Sequence, residues 1–517
     1  MQQQFRVSPL RRWIPLLPVL CLILILTLPS LNTGFVSDDF VHLVEDINLP
    51  ITQSSDKLHR PLRNILLKVE AATFDLNPVP YRLTMIGLYL LIIVLLYHFI
   101  LQIGGQWIAA VTTVSLFGFF PRNHQVIFWF AAMQDLIVGV CFLLVASFFL
   151  KYRDTDKSKH YYAALLLFLI ALGFKETAVA ILPTLVIIEV YRNKSVNNLA
   201  HFKFWRAYIP FGIALCGFVL YVFADRWMNE LQSVKTFHQF AGFINVIKLL
   251  GRYVINVLLP FSHPVELREL KYSLLLVFVL LETATIIIAA LALERRRELF
   301  LAGGWLIINL IPVALFSFYN DRYLFIPFVG IAFLLGSLAE RIVYWFGAFR
   351  FKLLPRMAVL GLLSVYLIVS IMRLYGYQAR WREAAQEVKS VVSETARLYP
   401  QVPTGSTFYF INLTHSVSQG QIYVLNNGLD GALWAQGYDR SVKAVKIFKS
   451  DTPYQQDLTE KTLVCENDDE DPKFLNVSRH QYIFIYKEGE LIDRSASECA
   501  NSLVKESIML HPEFWVN

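Results

Sequence analysis

The sequence predicts a polytopic α-helical membrane protein, crossing about 11 times, with a C-terminal mixed α/β domain outside the bilayer. Three observations carry this. Apolar residues make up 56% of the 517 and charged residues only 17%, against roughly 25% in soluble domains. Mean hydropathy is +0.47. The net charge of +7 is also divided along the chain. Residues 376–517 hold 14 Lys+Arg against 19 Asp+Glu, leaving 33 against 21 for the rest, so a membrane part at +12 precedes a tail at −5. This composition excludes one water-soluble domain, and it excludes disorder, which needs low hydrophobicity and high charge. Five cysteines are too few for a disulfide framework. Nucleic-acid binding fits poorly, because the basic residues sit in short clusters between apolar runs, the positive-inside pattern.

The apolar runs are 13–30, 83–103, 107–120, 126–150, 161–174, 177–190, 208–223, 272–293, 299–318, 323–338 and 357–374. The first follows Arg6, Arg11 and Arg12 and is too long and Pro-interrupted for a signal peptide, so it reads as uncleaved with a cytoplasmic N-terminus. Four basic clusters orient the rest: Lys151 to Lys159, Arg192 to Arg206, Arg295 to Arg297, and Arg341 to Arg356, all assigned to the cytoplasm. The stretch between the first two must turn back, and its only polar break is Lys175-Glu176, which becomes an outer apex. In 242–260, Asn245, Lys248, Arg252 and Asn256 recur at helical spacing, which reads as an interfacial or re-entrant helix.

The odd crossing count puts the C-terminal domain on the same side as the first loop. The domains are expected at 1–375, including a first outer loop at 31–81, and 376–517. In that loop, 40–47 and 62–74 could form amphipathic helices. Beyond it, 381–398 reads as a helix, and 407–411, 421–425, 442–448 and 482–486 alternate as strands. Cys465 and Cys499 could pair, though spacing alone does not establish it.

This topology gathers unusual polar residues on one side: Ser37-Asp38-Asp39, His59-Arg60, Arg122-Asn123-His124-Gln125, Asp135, Lys175-Glu176 and Asn320-Asp321-Arg322-Tyr323. Each has a plainer reading. An Asp caps helices, a Lys-Glu pair makes a turn, Arg-Tyr anchors at the interface, and a histidine is more often satisfied than metal-ligating. Asp135, inside a spanning run, resists such a reading most. Together they suggest a site for a lipid-linked anion and a polar acceptor. That chemistry fits glycosyl transfer from a polyprenyl- or dolichyl-phosphate sugar. The leaving phosphate needs fixed cations, for which Lys175, Arg322 and Arg60 are candidates. The acceptor hydroxyl needs a carboxylate base, Asp38 or Asp39, with Glu176, Asp135, Asn123, His124 and Tyr323 in support. These residues identify no cofactor, and the acids are compatible with a divalent cation.

Five blocks resemble the membrane half of GT-C glycosyltransferases, above all the tetratricopeptide-containing transmembrane O-mannosyltransferases and their bacterial relatives. They are Phe35-Val36-Ser37-Asp38-Asp39-Phe40; Arg60-Pro61-Leu62; Pro121, Asn123, Gln125, Trp129 and Asp135; Lys175-Glu176; and Gly304-Trp305 to Pro312 followed by Arg322-Tyr323-Leu324-Phe325-Ile326-Pro327. Gln125, Met133 and Asp321 stand where the family usually has an acid, an Arg and a Glu. The C-terminal domain does not resemble tetratricopeptide repeats. The resemblance implies a first-loop catalytic or acceptor-binding Asp and outer basic residues on the lipid phosphate. Acceptor choice does not carry over, and both a protein and a glycan acceptor at the lipid bilayer stay open; because the repeat-free outer domain departs from the eukaryotic members, a bacterial plasma membrane is favoured. The alternatives are a transporter or flippase of a lipid-linked glycan, and a noncatalytic glycan-binding scaffold. A transporter would place its polar groups near the midplane, often with internal repeats.

Overall fold

The computed structural model describes residues 12–47, 49, 60–192, 205–230, 242–258, 272–315, 319–345, 353–414, 416–417, 422–447, 480–487, 490–497 and 504. Cys465 and Cys499 lie outside them. The chain divides into two compact units. The first comprises Met1–Leu31, Asp56–Leu66 and Val79–Gln378; the second comprises Asn32–Ser55, Leu67–Pro78 and Ala379–Asn517. Most of the first loop, expected to belong to the membrane domain, therefore packs with the C-terminal residues.

The helices, in chain order, are α1 Leu16–Thr27, α2 Pro61–Phe74, α3 Pro78–Gln102, α4 Trp107–Gly118, α5 Met133–Thr155, α6 Ser158–Phe174, α7 Ile181–Arg192, α8 Ile209–Glu230, α9 Phe243–Leu258, α10 Tyr272–Ala292, α11 Arg296–Ala314, α12 Phe325–Trp345, α13 Leu353–Leu398 and α14 Leu429–Trp434. Each apolar run is helical over most of its described residues. Five helical stretches are long and apolar enough to cross a membrane by length and composition: Pro78–Gln102, Phe130–Thr155, Arg296–Ala314, Asp321–Tyr344 and Leu360–Leu398. Shorter apolar helices include Leu16–Ser30, Trp107–Gly118 and Ser158–Phe174. The chain is an integral membrane protein. α9 is not among the spans; it buries Tyr253 and Asn256 and exposes Phe243, Ile244 and Ile247.

Two expected elements differ. The run 126–150 is not one helix. A short helix His124–Phe128 stops at Trp129, which is extended at φ −112° and ψ 116°. The Phe128 carbonyl is released there and accepts a hydrogen bond from the buried Arg82 guanidinium at 2.5 Å. α5 restarts at Met133, so Asp135 sits in its first turn rather than deep inside a span. Conversely, 357–374 and 381–398 are one helix, α13, of 46 residues. Polarity changes between them, but only Gly376 opposes helix there, at roughly 1 kcal/mol.

Small residues set the packing of the first unit. Without a strong hydrophobic drive in lipid, helices associate where backbones approach closely. α12 meets α4 at Gly336, where an added Cβ would lie 2.7 Å from the Ala109 carbonyl and also strike the Thr113 hydroxyl. It meets α11 at Gly330, 2.9 Å from the Ala302 carbonyl on the same test. Trp305 Nε1 donates to Ile326 O at 2.8 Å, fixing the start of α12.

The ends of the bundle differ in chemistry. At one end, carboxylates tie the basic clusters together. Glu189 binds Arg153 and Tyr208, and Asp154 accepts from Arg192 at 2.6 Å. Glu340 accepts from Arg295 at 3.2 Å and from the Gln106 backbone at 3.0 Å. The opposite end, where α4 and α6 finish and α5 and α12 begin, carries the candidate residues.

In the second unit, a four-stranded sheet runs in the order β4-β1-β5-β6. Its strands are β1 Thr407–Ile411, β4 Lys443–Ile447, β5 Gln481–Lys487 and β6 Glu490–Asp493. β1 is parallel to both β4 and β5, and β6 is antiparallel to β5. A separate hairpin pairs β2 Ser416–Val417 with β3 Ile422–Tyr423. Phe408, Phe410 and Phe484 stack in the core, and the α13 residues Trp381, Ala384 and Val388 are buried. The first-loop residues Phe35, Val36, Leu43 and Val44 are buried too.

Gly336→Ala and Gly303→Ala gain the same helix propensity, but only Gly336 has a backbone in the way. In detergent, Gly336→Ala should lower stability by about 1–3 kcal/mol, and Gly303→Ala should be neutral or slightly stabilising. Equal melting temperatures would contradict the close α4–α12 approach.

Candidate active site

The polar groups occupy two places, one in each unit. In the first, α6 ends at Phe174, and Lys175 turns extended, with its backbone N–H still bonded to Ala171 O at 3.1 Å. A 3₁₀ turn, Glu176–Ala180, leads into α7. Lys175-Glu176 thus forms the apex of the α6–α7 hairpin, as its polar break implies. The Lys175 side chain is fully buried. Its Nζ donates to Asp135 Oδ1 at 2.6 Å and lies 5.1 Å from the Tyr323 ring centroid. Those are its contacts among the described residues, so two of its three protons have no acceptor there. Asp135 Oδ2 likewise has no hydrogen-bond partner among the described residues.

The other two predicted cations surround this pair. Arg60 grips Glu176 in a fork, at 2.9 Å from Nε and 2.8 Å from the second nitrogen, and reaches Gln134 at 3.3 Å. The Arg322 guanidinium lies 4.8 Å from the Trp129 ring centroid and 5.4 Å from that of Tyr323. Its backbone N–H donates to Gln125 Oε1 at 2.9 Å, so this side-chain amide holds the turn. Lys175, Asp135, Glu176, Arg60, Arg322 and Tyr323 are therefore brought together. Burial lowers the Lys175 ammonium to about 8, with Asp135 opposing and Arg322 and Arg60 adding to the fall. Burial pushes the Glu176 carboxyl up, but the Arg60 fork outweighs it and holds Glu176 below the usual carboxylate range.

Asn123 and His124 do other work. Asn123 Nδ2 donates to Phe117 O at 2.9 Å and to Tyr89 at 3.2 Å, closing the end of α4. His124 stacks on Tyr377, with centroids 4.0 Å apart, and its Nε2 lies 3.2 Å from Asp321 Oδ2. Asp321 also pairs with the buried Arg122 at 3.3 Å and accepts from Tyr319 at 2.5 Å. Arg122 in turn donates to Asn256 of α9 at 2.8 Å. The sequence places Arg122 and Asp321 on the outer face without assigning them a role, and it does not single out Gln134 or Tyr319. Charged Arg122 and Asp321 beside helix ends were a visible signal; Gln134 and Tyr319 offered none.

The double acid lies in the second unit, and its two residues differ. Asp39 is fully buried and accepts the Val36 backbone N–H at 3.1 Å, a local cap. Asp38 is half-exposed. Its Oδ1 accepts from Asn427 Nδ2 at 2.6 Å and from Ser37 Oγ at 3.4 Å, and its Oδ2 has no hydrogen bond among the described residues. Among the described residues, no grouping of three or more His, Cys, Asp or Glu is placed to hold a metal ion.

No protein-family model matches the chain, and no curated protein matches it. It is similar to two solved structures of ArnT from Cupriavidus metallidurans. The apo state is 13% identical with a TM-score of 0.48, covering 83% of this chain and 85% of that one. The form bound to undecaprenyl phosphate is 12% identical with a TM-score of 0.48, covering 94% and 98%.

Lys175 can hold an anion only while protonated. An anion bound beside it raises its pKa, so affinity should fall as pH rises through about 8. A phosphate monoester is already fully ionised above about pH 7, so its own charge does not change in this range. Titrating the purified protein with decaprenyl phosphate between about pH 7 and about pH 10 should show weakening that Lys175→Met removes. A flat profile in the wild type would separate Lys175 from phosphate binding.

Proposed function

We propose that the chain is a membrane glycosyltransferase. It moves a hexose from a polyprenyl- or dolichyl-phosphate carrier to a protein or glycan acceptor at the extracytoplasmic face, most naturally of a bacterial plasma membrane. One observation carries this reading: a fully buried ammonium, Lys175, with two protons unaccepted among the described residues and the positive charges of Arg322 and Arg60 acting on it. It lies at the bundle end opposite the basic clusters, the end the positive-inside rule places outside. A cation so dehydrated is costly unless an anion joins it, and a lipid-linked phosphate reaches that level from the bilayer.

The reaction is one displacement at the anomeric carbon. The bond from that carbon to the phosphate oxygen breaks, its electron pair stays on the phosphate, and the acceptor oxygen forms the new bond with inversion. Lys175 and Arg322 stabilise the charge growing on the phosphate. Arg60, held by Glu176, keeps the Lys175 turn in place. Of the two acids, we assign the acceptor proton to Asp38, which offers a carboxylate oxygen, and a structural role to Asp39. Mannose is the first sugar to try, on the strength of the five sequence blocks.

The test is a panel of decaprenyl-phosphate hexoses, radiolabelled in the sugar and supplied to the chain in sealed proteoliposomes with bacterial envelope extract as acceptor. At least one donor should transfer label. Asp38→Asn should cut the rate by about 10²–10⁴ without lowering the melting temperature. Asp39→Asn should instead cost about 1–3 kcal/mol of stability. No transfer from any donor, with label crossing the bilayer intact, would favour the transporter reading.

A further inference from the structure

We propose that Asn427, in the loop between β3 and α14, is a positioning residue for Asp38, and that completing this acid's surroundings is one task of the C-terminal domain. The inference rests on Asp38 as the acceptor base. All the groups concerned lie within the second unit.

Asn427 is joined to the acid motif twice. Its side-chain amide donates to Asp38 Oδ1 at 2.6 Å, and its backbone N–H donates to Ser37 Oγ at 3.1 Å. Ser37 itself is unusual. It is fully buried, with φ 46° and ψ −123°, a conformation a non-glycine residue adopts only when its surroundings over-determine it. The surroundings do so here. Ser37 N–H donates to Val424 O at 2.9 Å. Gly428, at φ +73°, passes so close that a Cβ would lie 2.5 Å from Ser37 O. The loop is held from its other side as well. Lys446 Nζ donates to Leu425 O at 2.5 Å and to Asn426 O, and Gly431 N–H donates to Glu45 Oε1 at 2.9 Å.

The consequence is chemical. A carboxylate on a short side chain can rotate either oxygen towards an acceptor. Anchoring Oδ1 to an amide donor, on a backbone itself clamped in place, leaves Oδ2 as the oxygen that meets the acceptor hydroxyl. Such fixing raises the fraction of encounters in reacting geometry without strengthening binding. Asn427 is exposed, so its replacement does not open the core.

The test compares Asn427→Ser, Asn427→Ala and Asn427→Asp in the donor-panel assay, with melting temperature measured for each. A positioning donor predicts kcat falling in the order wild type, Ser, Ala, Asp, with Ala reduced on the order of 10-fold and KM for the donor unchanged. Asp has nearly the shape of Asn but sets a second negative charge against Asp38, so a space-filling role predicts that Asp matches or exceeds Ala. In an Asp38→Asn background, Asn427→Ala should cost no further rate. An Asp variant as active as Ala, or a loss confined to KM, overturns the positioning role while leaving glycosyl transfer standing. Absence of transfer by the wild type across the panel overturns the transferase reading and this role with it.

Discussion

The pairing of Lys175 with Asp135 is the constraint on which the rest of the first unit depends. An ammonium removed from water must meet opposite charge, or the fold loses several kcal/mol. Asp135 meets it only because α5 begins at Met133. That in turn depends on the extended Trp129, and on Arg82, which satisfies the Phe128 carbonyl left by the break. The same break lays the Trp129 ring beneath Arg322. The Arg60–Glu176 fork then fixes the hairpin apex from the first loop. One ion pair thus accounts for a broken helix, a hairpin turn and the placing of two further cations. Such a pair is poor evidence for stability alone, since an apolar replacement is often as stable. Its retention among three cations makes sense when an anion completes it.

A second layer supports the first without entering it. Arg122, His124, Asp321 and Tyr319 form a connected network, stacked on Tyr377 and tied to α9 through Asn256. It holds the turn before α12, and with it Arg322 and Tyr323. At the far end of the bundle, Glu189 and Glu340 perform a similar service for the basic clusters. The ion pairs described in this unit are therefore gathered at the two ends, while glycine contacts and aromatic rings pack the helices between them.

Much of this was legible in the sequence, because hydropathy sees what lipid requires. The apolar runs became helices, and Lys175-Glu176 was the turn that the charge clusters demanded. The stripe at 245–256 became an amphipathic helix, though Asn256 turned inward to Arg122 while Lys248 and Arg252 stayed exposed. What was not legible depended on distant partners. The break at Trp129 leaves no mark in an unbroken apolar run, and the continuity of α13 is masked by a change in polarity at Tyr375–Arg380 that does not affect helix formation. Asp38 and Asp39 are equivalent in sequence; they differ because Asn427, 389 residues away, takes one, and the Val36 backbone takes the other.

The central claim is that the Lys175 ammonium holds a lipid-linked phosphate. A cryo-electron microscopy structure of the chain in nanodiscs with decaprenyl phosphate tests it most directly. The account predicts phosphate density with an oxygen about 2.7–2.9 Å from Lys175 Nζ, and the Asp135 contact kept. Phosphate bound elsewhere, with Lys175 still bonded only to Asp135, would contradict it.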